Sequence, residues 1–148
     1  MKLKTALLGA ACAFAFAPAA FAERGSDGTV NVLYAQAPST LNPYLSSGTK
    51  DVEVGSLVLE PLAGFDEVGA VYPRLVSELP SLENGGISED QTSITWKLKE
   101  GLLWSDGTPF TADDVVFTAA YCMDPAGGCA QGAKYEGVKT VEALDPLT

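Results

Sequence analysis

The chain has 148 residues, 47% of them hydrophobic and 19% charged, which is enough for one globular domain and too apolar for a disordered one. Its formal charge of −10, with no basic cluster and no aromatic platform, argues against nucleic acid as a partner. There is no histidine, so Ser-His-Asp, Cys-His and the usual zinc arrangements are all excluded, and an enzyme here would have to work with carboxylates.

Residues 1–22 read as a secretory signal peptide: Met1 to Lys4 is basic, Ala6 to Phe16 is apolar, and Ala20-Phe21-Ala22 offers small residues for cleavage before Glu23. Lys2 and Lys4 leave with it, so the remaining chain carries a net −12. Nothing later is apolar for long enough to cross a bilayer, so export without direct membrane insertion is expected. The competing reading, a lipid-modified Cys12, is opposed by Gly9, which stands where leucine is usual.

After a flexible lead-in, the pattern over Thr29–Ala35 predicts a strand covered on both faces, suited to the interior of an α/β sheet. Pro38 and Pro43 then force the chain out of it. Ser46 to Thr49 follows, and its hydroxyls and flexible Gly48 are the part of the chain best suited to touch an extended ligand. In the structural reading, Thr49 instead caps a helix over about 50–59, with Asp51 and Glu53 in its first turn and Val54, Leu57 and Val58 buried. Residues 62–66 and 70–73 predict a hairpin around Asp66-Glu67-Val68-Gly69, whose adjacent acids are read as a solvated turn rather than a metal or general-base site. Arg74 to Leu79 suggests a helical turn, and 80–90 a loop.

The run from Thr92 to Cys122 is the most strongly patterned. Ile94, Trp96 and Leu98 alternate with polar residues as in a strand, and Ser105-Asp106-Gly107 breaks the pattern with a turn. Thr111 and Asp114 then have the spacing of a capping box, and Ala112, Val115, Val116, Ala119 and Cys122 share one helical face. Trp96 and Trp104 read as core aromatics. Asp113 and Asp114 point to different sides of the helix, which is wrong for a catalytic pair. Outside the cytoplasm Cys122 and Cys129 are expected to form a disulfide, worth about 2 to 3 kcal/mol for so short a loop, with two free thiols as the alternative. Their spacing does not suit zinc. Val138 to Leu144 looks like a strand, and the absence of a cap or polar tail before Thr148 suggests a fold cut before completion.

Leu41-Asn42-Pro43, Glu60-Pro61-Leu62, Trp96 to Gly101 and above all Trp104 to Val115 resemble the bacterial extracellular solute-binding proteins of family 5, the dipeptide- and oligopeptide-binding subunits of ABC importers. The resemblance runs from about Val30 onward. It implies an α/β fold, the N-terminal part of lobe I of a two-lobed periplasmic binding protein of the type II peptide-binding class, with residues 1–22 a signal peptide and 23–148 a truncated portion of the domain. It implies capture of di- or oligopeptides in the periplasm for an ABC permease and ATPase, with peptide backbone gripped like an added strand and side chains in wet pockets. No cofactor, metal or catalytic residue is implied.

The resemblance turns the Ser46–Thr49 loop toward the cleft and marks Ser47, Gly48 and Thr49 as ligand-binding, while the run from Trp104 has no ligand role. Some oligopeptide binders look acidic where Ser47 stands, so ligand length and type do not carry over. The alternatives are a binder of another small solute such as a sugar, opine or chelated metal, a truncated lobe that binds nothing, and a secreted carboxylate-dependent hydrolase. Saturable binding without turnover separates the first from the other two.

Overall fold

Val76 is fully buried, and Leu98 and Ala112 close over it with Leu62, Trp96, Leu102, Phe110, Val115 and Leu147 around them. These residues come from four separate stretches of chain, and each Val- or Leu-sized side chain so buried stabilises by about 1.5–3 kcal/mol. The computed structural model describes residues 28–148, so the expected signal peptide and Cys12 lie outside the described residues. Tyr34–Thr148 form one compact unit and residues 28–33 belong to another.

The elements, in order, are helix α1 (Thr49–Gly55), strands β1 (Ala63–Phe65) and β2 (Val71–Pro73), helix α2 (Ala112–Met123) and a 3-10 turn at Gly132–Tyr135. β1 and β2 form the expected hairpin, antiparallel with Gly64 opposite Tyr72. Asp66 makes the turn by accepting from the amides of Val68 and Ala70 at 3.0 and 2.7 Å, which confirms the structural reading of that acid. Trp104 and Thr108 close the next turn as expected, with Asp106 accepting from the Thr108 amide and Gly107 at φ 86°, a value glycine takes freely.

α2 begins at Thr111 in a capping box. The Asp114 carboxylate accepts from the Thr111 amide at 2.8 Å, and Ala112, Ala119 and Cys122 are its buried residues. The amide of Ala112, which no residue within the helix can satisfy, donates to Pro146 O at 2.9 Å. Leu98 donates likewise to Leu147 O at 2.7 Å, so residues 146–147 complete both the helix start and the core.

Several expectations are corrected. Residues 29–35 form no strand, and Val30 and Leu33 are exposed; alternating apolar residues make a strand only when they pair with a neighbouring edge, and this segment pairs with neither strand of the hairpin. Val138–Leu144 forms no strand for the same reason, with Leu144 exposed. Arg74–Leu79 is not helical but a single antiparallel bridge, Val76 to Leu98, between bends, with the Ser77 amide donating to Lys97 O and the Lys99 amide to Leu75 O. Ile94 is exposed although Trp96 and Leu98 are not, so the predicted strand buries only its second half. Trp104 lies at the surface, edge-on to Phe110 with ring centroids 5.2 Å apart.

α1 differs most from its sequence reading. It is about two turns followed by looser turns to Leu59, its N-cap is Gly48 rather than Thr49, and Leu57 and Val58 are exposed. The residues it buries are Gly55 and, unexpectedly, Asp51. Gly55 is required by close approach: a Cβ there would meet Leu41 O at 3.1 Å and Pro43 Cδ at 3.3 Å.

Candidate functional site

The loop before α1 is folded around the Asp51 carboxylate, which is 2% exposed. Oδ1 accepts from the Ser39 amide at 2.6 Å, the Thr40 amide at 3.4 Å and Lys50 Nζ at 3.0 Å, and Oδ2 accepts from the Ser46 hydroxyl at 2.6 Å. The Lys50 ammonium also donates to Ser39 Oγ. A buried carboxylate persists only when its charge is matched in this way. The Ser46 hydroxyl first, and then the Ser39 amide, hold the Asp51 carboxyl well below the ordinary carboxylate range against the opposing pull of burial.

Two local turns shape the Leu41-Asn42-Pro43 corner. Thr40 Oγ1 accepts from the Asn42 amide at 3.0 Å, and Asn42 Oδ1 accepts from the Tyr44 amide at 2.9 Å. From far along the chain, Ala130 donates its amide to Tyr44 O at 2.7 Å, and Gln131 Nε2 donates to Pro43 O at 3.2 Å and Ser46 O at 3.3 Å. Tyr34 hydroxyl donates to Glu53 Oε2 on the outer side of α1.

This scaffold holds the three residues singled out from sequence, but it treats them differently. Ser47 and Thr49 are exposed, and neither their hydroxyls nor their amides have a partner among the described residues. Gly48 is occupied: its amide donates to Ser46 Oγ at 3.1 Å and its carbonyl accepts from Asp51 and Val52. A side chain on Gly48 would meet Ser46 Oγ at 3.3 Å and Asp51 Oδ2 at 3.6 Å, so its role is to let the Ser46–Asp51 bond close beneath the turn. The arrangement offers two hydroxyls and two backbone donors on a rigid turn, which suits hydrogen bonding to carbonyl or carboxylate oxygen and contains no nucleophile–base pair.

Cys122 and Cys129 are joined by a disulfide with Cα atoms 4.9 Å apart. The residues bracing this loop that sequence reasoning missed are Asp51, read only as a helix-start acid, and Gln131. A short side chain at Ser46 and an acid at Asp51, five residues on, were the available signal for the first. For Gln131 there was none, since its partners lie 85 and 88 residues away.

A groove of about 570 Å³ lined by Ser77, Lys97, Leu98, Lys99, Glu100, Asp145, Leu147 and Thr148 shares no residue with the turn at 47–49. It is shallow and open, whereas the turn is a set of unfilled donors on a braced loop, and the candidate site is placed there. Among the described residues no cluster of three or more Cys, Asp or Glu side chains stands ready to hold a metal ion. None of their helices is long and apolar enough to cross a membrane.

Residues 70–148 match the family described as bacterial extracellular solute-binding proteins, family 5 Middle. The glutathione-binding protein GsiB of Escherichia coli K12 is 31% identical over 110 residues, which cover 74% of this chain and 20% of that protein. Among solved structures, NikZ from Campylobacter jejuni in complex with Ni(L-His) superposes with a TM-score of 0.64 at 28% identity, over 76% of this chain and 21% of NikZ. Haemophilus influenzae OppA, complexed with the peptide RPPGFSPFR, superposes with a TM-score of 0.62 at 25% identity, over 75% of this chain and 24% of OppA. The chain thus spans about a fifth of the length of the curated relatives it matches.

Proposed function

The chain belongs to the bacterial extracellular solute-binding proteins of family 5, and on that premise we propose that it contributes part of the binding cleft of a periplasmic receptor that captures a peptide for an ABC importer. Its fold is that of a partial first lobe of a two-lobed α/β periplasmic binding protein. The observation that carries the reading is the turn at Ser47–Thr49, in which the hydroxyls and amides of Ser47 and Thr49 are unfilled while the Gly48 amide and the Ser46 hydroxyl beneath them are bonded. A peptide presents carbonyl oxygens at regular spacing, and two hydroxyls and two amides on a fixed turn can accept such a backbone with little ordering cost.

GsiB is named for glutathione, NikZ was solved with a histidine complex of nickel and OppA with a peptide; each ligand carries amino-acid carboxylate or amide oxygens. In this reading residues 1–22 direct export and are removed, residues 23–148 form the start of the binding domain, and the permease and ATPase of the importer receive the loaded protein. Recognition proceeds without a chemical step.

The test is calorimetric titration of the protein at its native length, purified from periplasm, with glutathione, a nickel–histidine complex and a panel of unmodified short peptides. Saturable binding without turnover is expected. Ser47→Ala and Thr49→Ala should each weaken it by about 2- to 10-fold, the worth of one hydrogen bond. Unchanged affinity in both variants would remove the turn from the binding site.

A further inference from the structure

We propose that Gln131, anchored by the Cys122–Cys129 bridge, is a positioning residue that holds the 43–49 loop in the geometry that presents Ser47 and Thr49 to a ligand. This rests on the function proposed above for that turn. Cys122 is buried in the last turn of α2, so the disulfide fixes Cys129 to the helix and leaves Ala130 and Gln131 immediately beyond the anchor. From there the Ala130 amide and the Gln131 side chain reach three loop carbonyls, those of Tyr44, Pro43 and Ser46. Among the described residues, no other hydrogen bond joins residues 38–49 to residues 112–148.

The chemistry at the contact is specific. Both partners of the Gln131 side chain are carbonyl oxygens, which only a donor can satisfy, and a primary amide supplies two N–H groups from one atom. Its two acceptors flank the corner from which Ser47 springs, one at Pro43 and one at Ser46. Gly132 and Lys134 donate to Cys129 O and Gln131 O, so the segment that carries the amide is itself braced by the 3-10 turn. Loosening this strut leaves the Asp51 network intact but lets the outer side of the loop populate other arrangements. Affinity then falls in proportion to the fraction of molecules still competent to bind.

The decisive variant is Gln131→Glu in the protein at its native length. A carboxylate there faces two carbonyls without a proton to give, whereas the protonated acid can donate to one of them. Two readouts are taken: hydrogen exchange at the amides of Tyr44, Leu45 and Gly48 without ligand, and titration with glutathione and with the peptide RPPGFSPFR. The expected result is faster exchange at those amides and binding weakened by about 5- to 20-fold near neutral pH, the loss narrowing relative to wild type as pH falls toward about 4, where a glutamate takes up its proton. A residue that served only global stability would lower the melting temperature without this pH-dependent recovery. The Cys122→Ser/Cys129→Ser double variant is expected to speed exchange at the same amides.

Normal exchange and normal affinity in Gln131→Glu, with Ser47→Ala and Thr49→Ala still weakening binding, would overturn the strut and leave the site in place. Faster exchange with affinity unchanged in all three variants would overturn the binding role of the turn, and with it the positioning role. Should neither probe bind the wild-type protein, the exchange measurement decides alone: unaltered protection of Tyr44, Leu45 and Gly48 overturns the inference, and their loss supports it.

Discussion

The segment 39–55 and the segment 94–123 are built by opposite means. The second is held by backbone hydrogen bonds and by apolar packing of Trp96, Leu98, Ala112 and Val115 around Val76. The first has almost no buried apolar side chain: its buried positions are Asp51 and Gly55, and its order comes from one carboxylate, two Asx- and hydroxyl-centred turns and three hydrogen bonds from residues 130 and 131. An apolar core is indifferent to what it faces, whereas a polar network fixes the direction of every donor. The rigid hydrophobic part therefore serves as platform, and the polar part is where recognition can reside.

If this contrast is right, damage to the platform and damage to the network have different signatures. The largest effect should come from Leu98→Ala, which empties part of the core and is expected to cost about 2–4 kcal/mol in denaturant unfolding, without changing native-state affinity. A comparable loss of affinity at temperatures where the variant is fully folded would erase the distinction. Next is removal of the disulfide by Cys122→Ser/Cys129→Ser, expected to cost about 2–3 kcal/mol in the chain-entropy account and, unlike Leu98→Ala, to affect the 43–49 loop as well. Equal exchange rates at Tyr44 and Leu45 before and after would confine the bridge to the platform.

Smaller again is Thr111→Ala at the start of α2, expected to cost about 1 kcal/mol by thermal or denaturant unfolding with no change at residues 39–49. The most local effect is that of acid on the network. Asp51 has a folded-state pKa depressed below the ordinary value of about 4, so its stabilisation is fully present above that value and is lost only as pH falls through the lower folded one. Carboxyl NMR titration should therefore show the Asp51 midpoint below the ordinary aspartate range, with the Ser39 and Thr40 amides shifting together with it. A midpoint at or above that range would mean that the carboxylate is not the charged centre of the loop.

The same contrast explains what could be read from sequence. The Asp66 hairpin turn, the Ser105-Asp106-Gly107 turn and the Thr111–Asp114 capping box were legible because their donors and acceptors lie two to four residues apart. Fold class was legible for a related reason, since the Trp104–Val115 run is distinctive in itself. The strands expected over 29–35 and 138–144 failed because alternation describes one side of a contact and leaves the other unnamed. Thr49 was taken for a cap because hydroxyls favour that position, but Gly48 occupies it so that Ser46 can reach Asp51. Ser47 and Thr49 stood out for their hydroxyls and Gly48 for its flexibility, which one short stretch of sequence displays. What braces them did not, because Ser39 and Gln131 meet this loop across 12 and 85 to 88 residues.

That last separation has a consequence in time. Ribosomes add about 5–20 residues per second, so roughly 4 to 18 seconds pass between synthesis of Pro43 and synthesis of Gln131, which binds its carbonyl. Throughout that interval the corner carrying Ser47 has only its local turns and Asp51 to shape it, and the cysteine that will anchor its brace has not yet found its mate. The turn at 47–49 is thus made early in the described chain yet braced only once residues 130 and 131 exist, whereas the hairpin at 63–73 carries both of its strands within eleven residues.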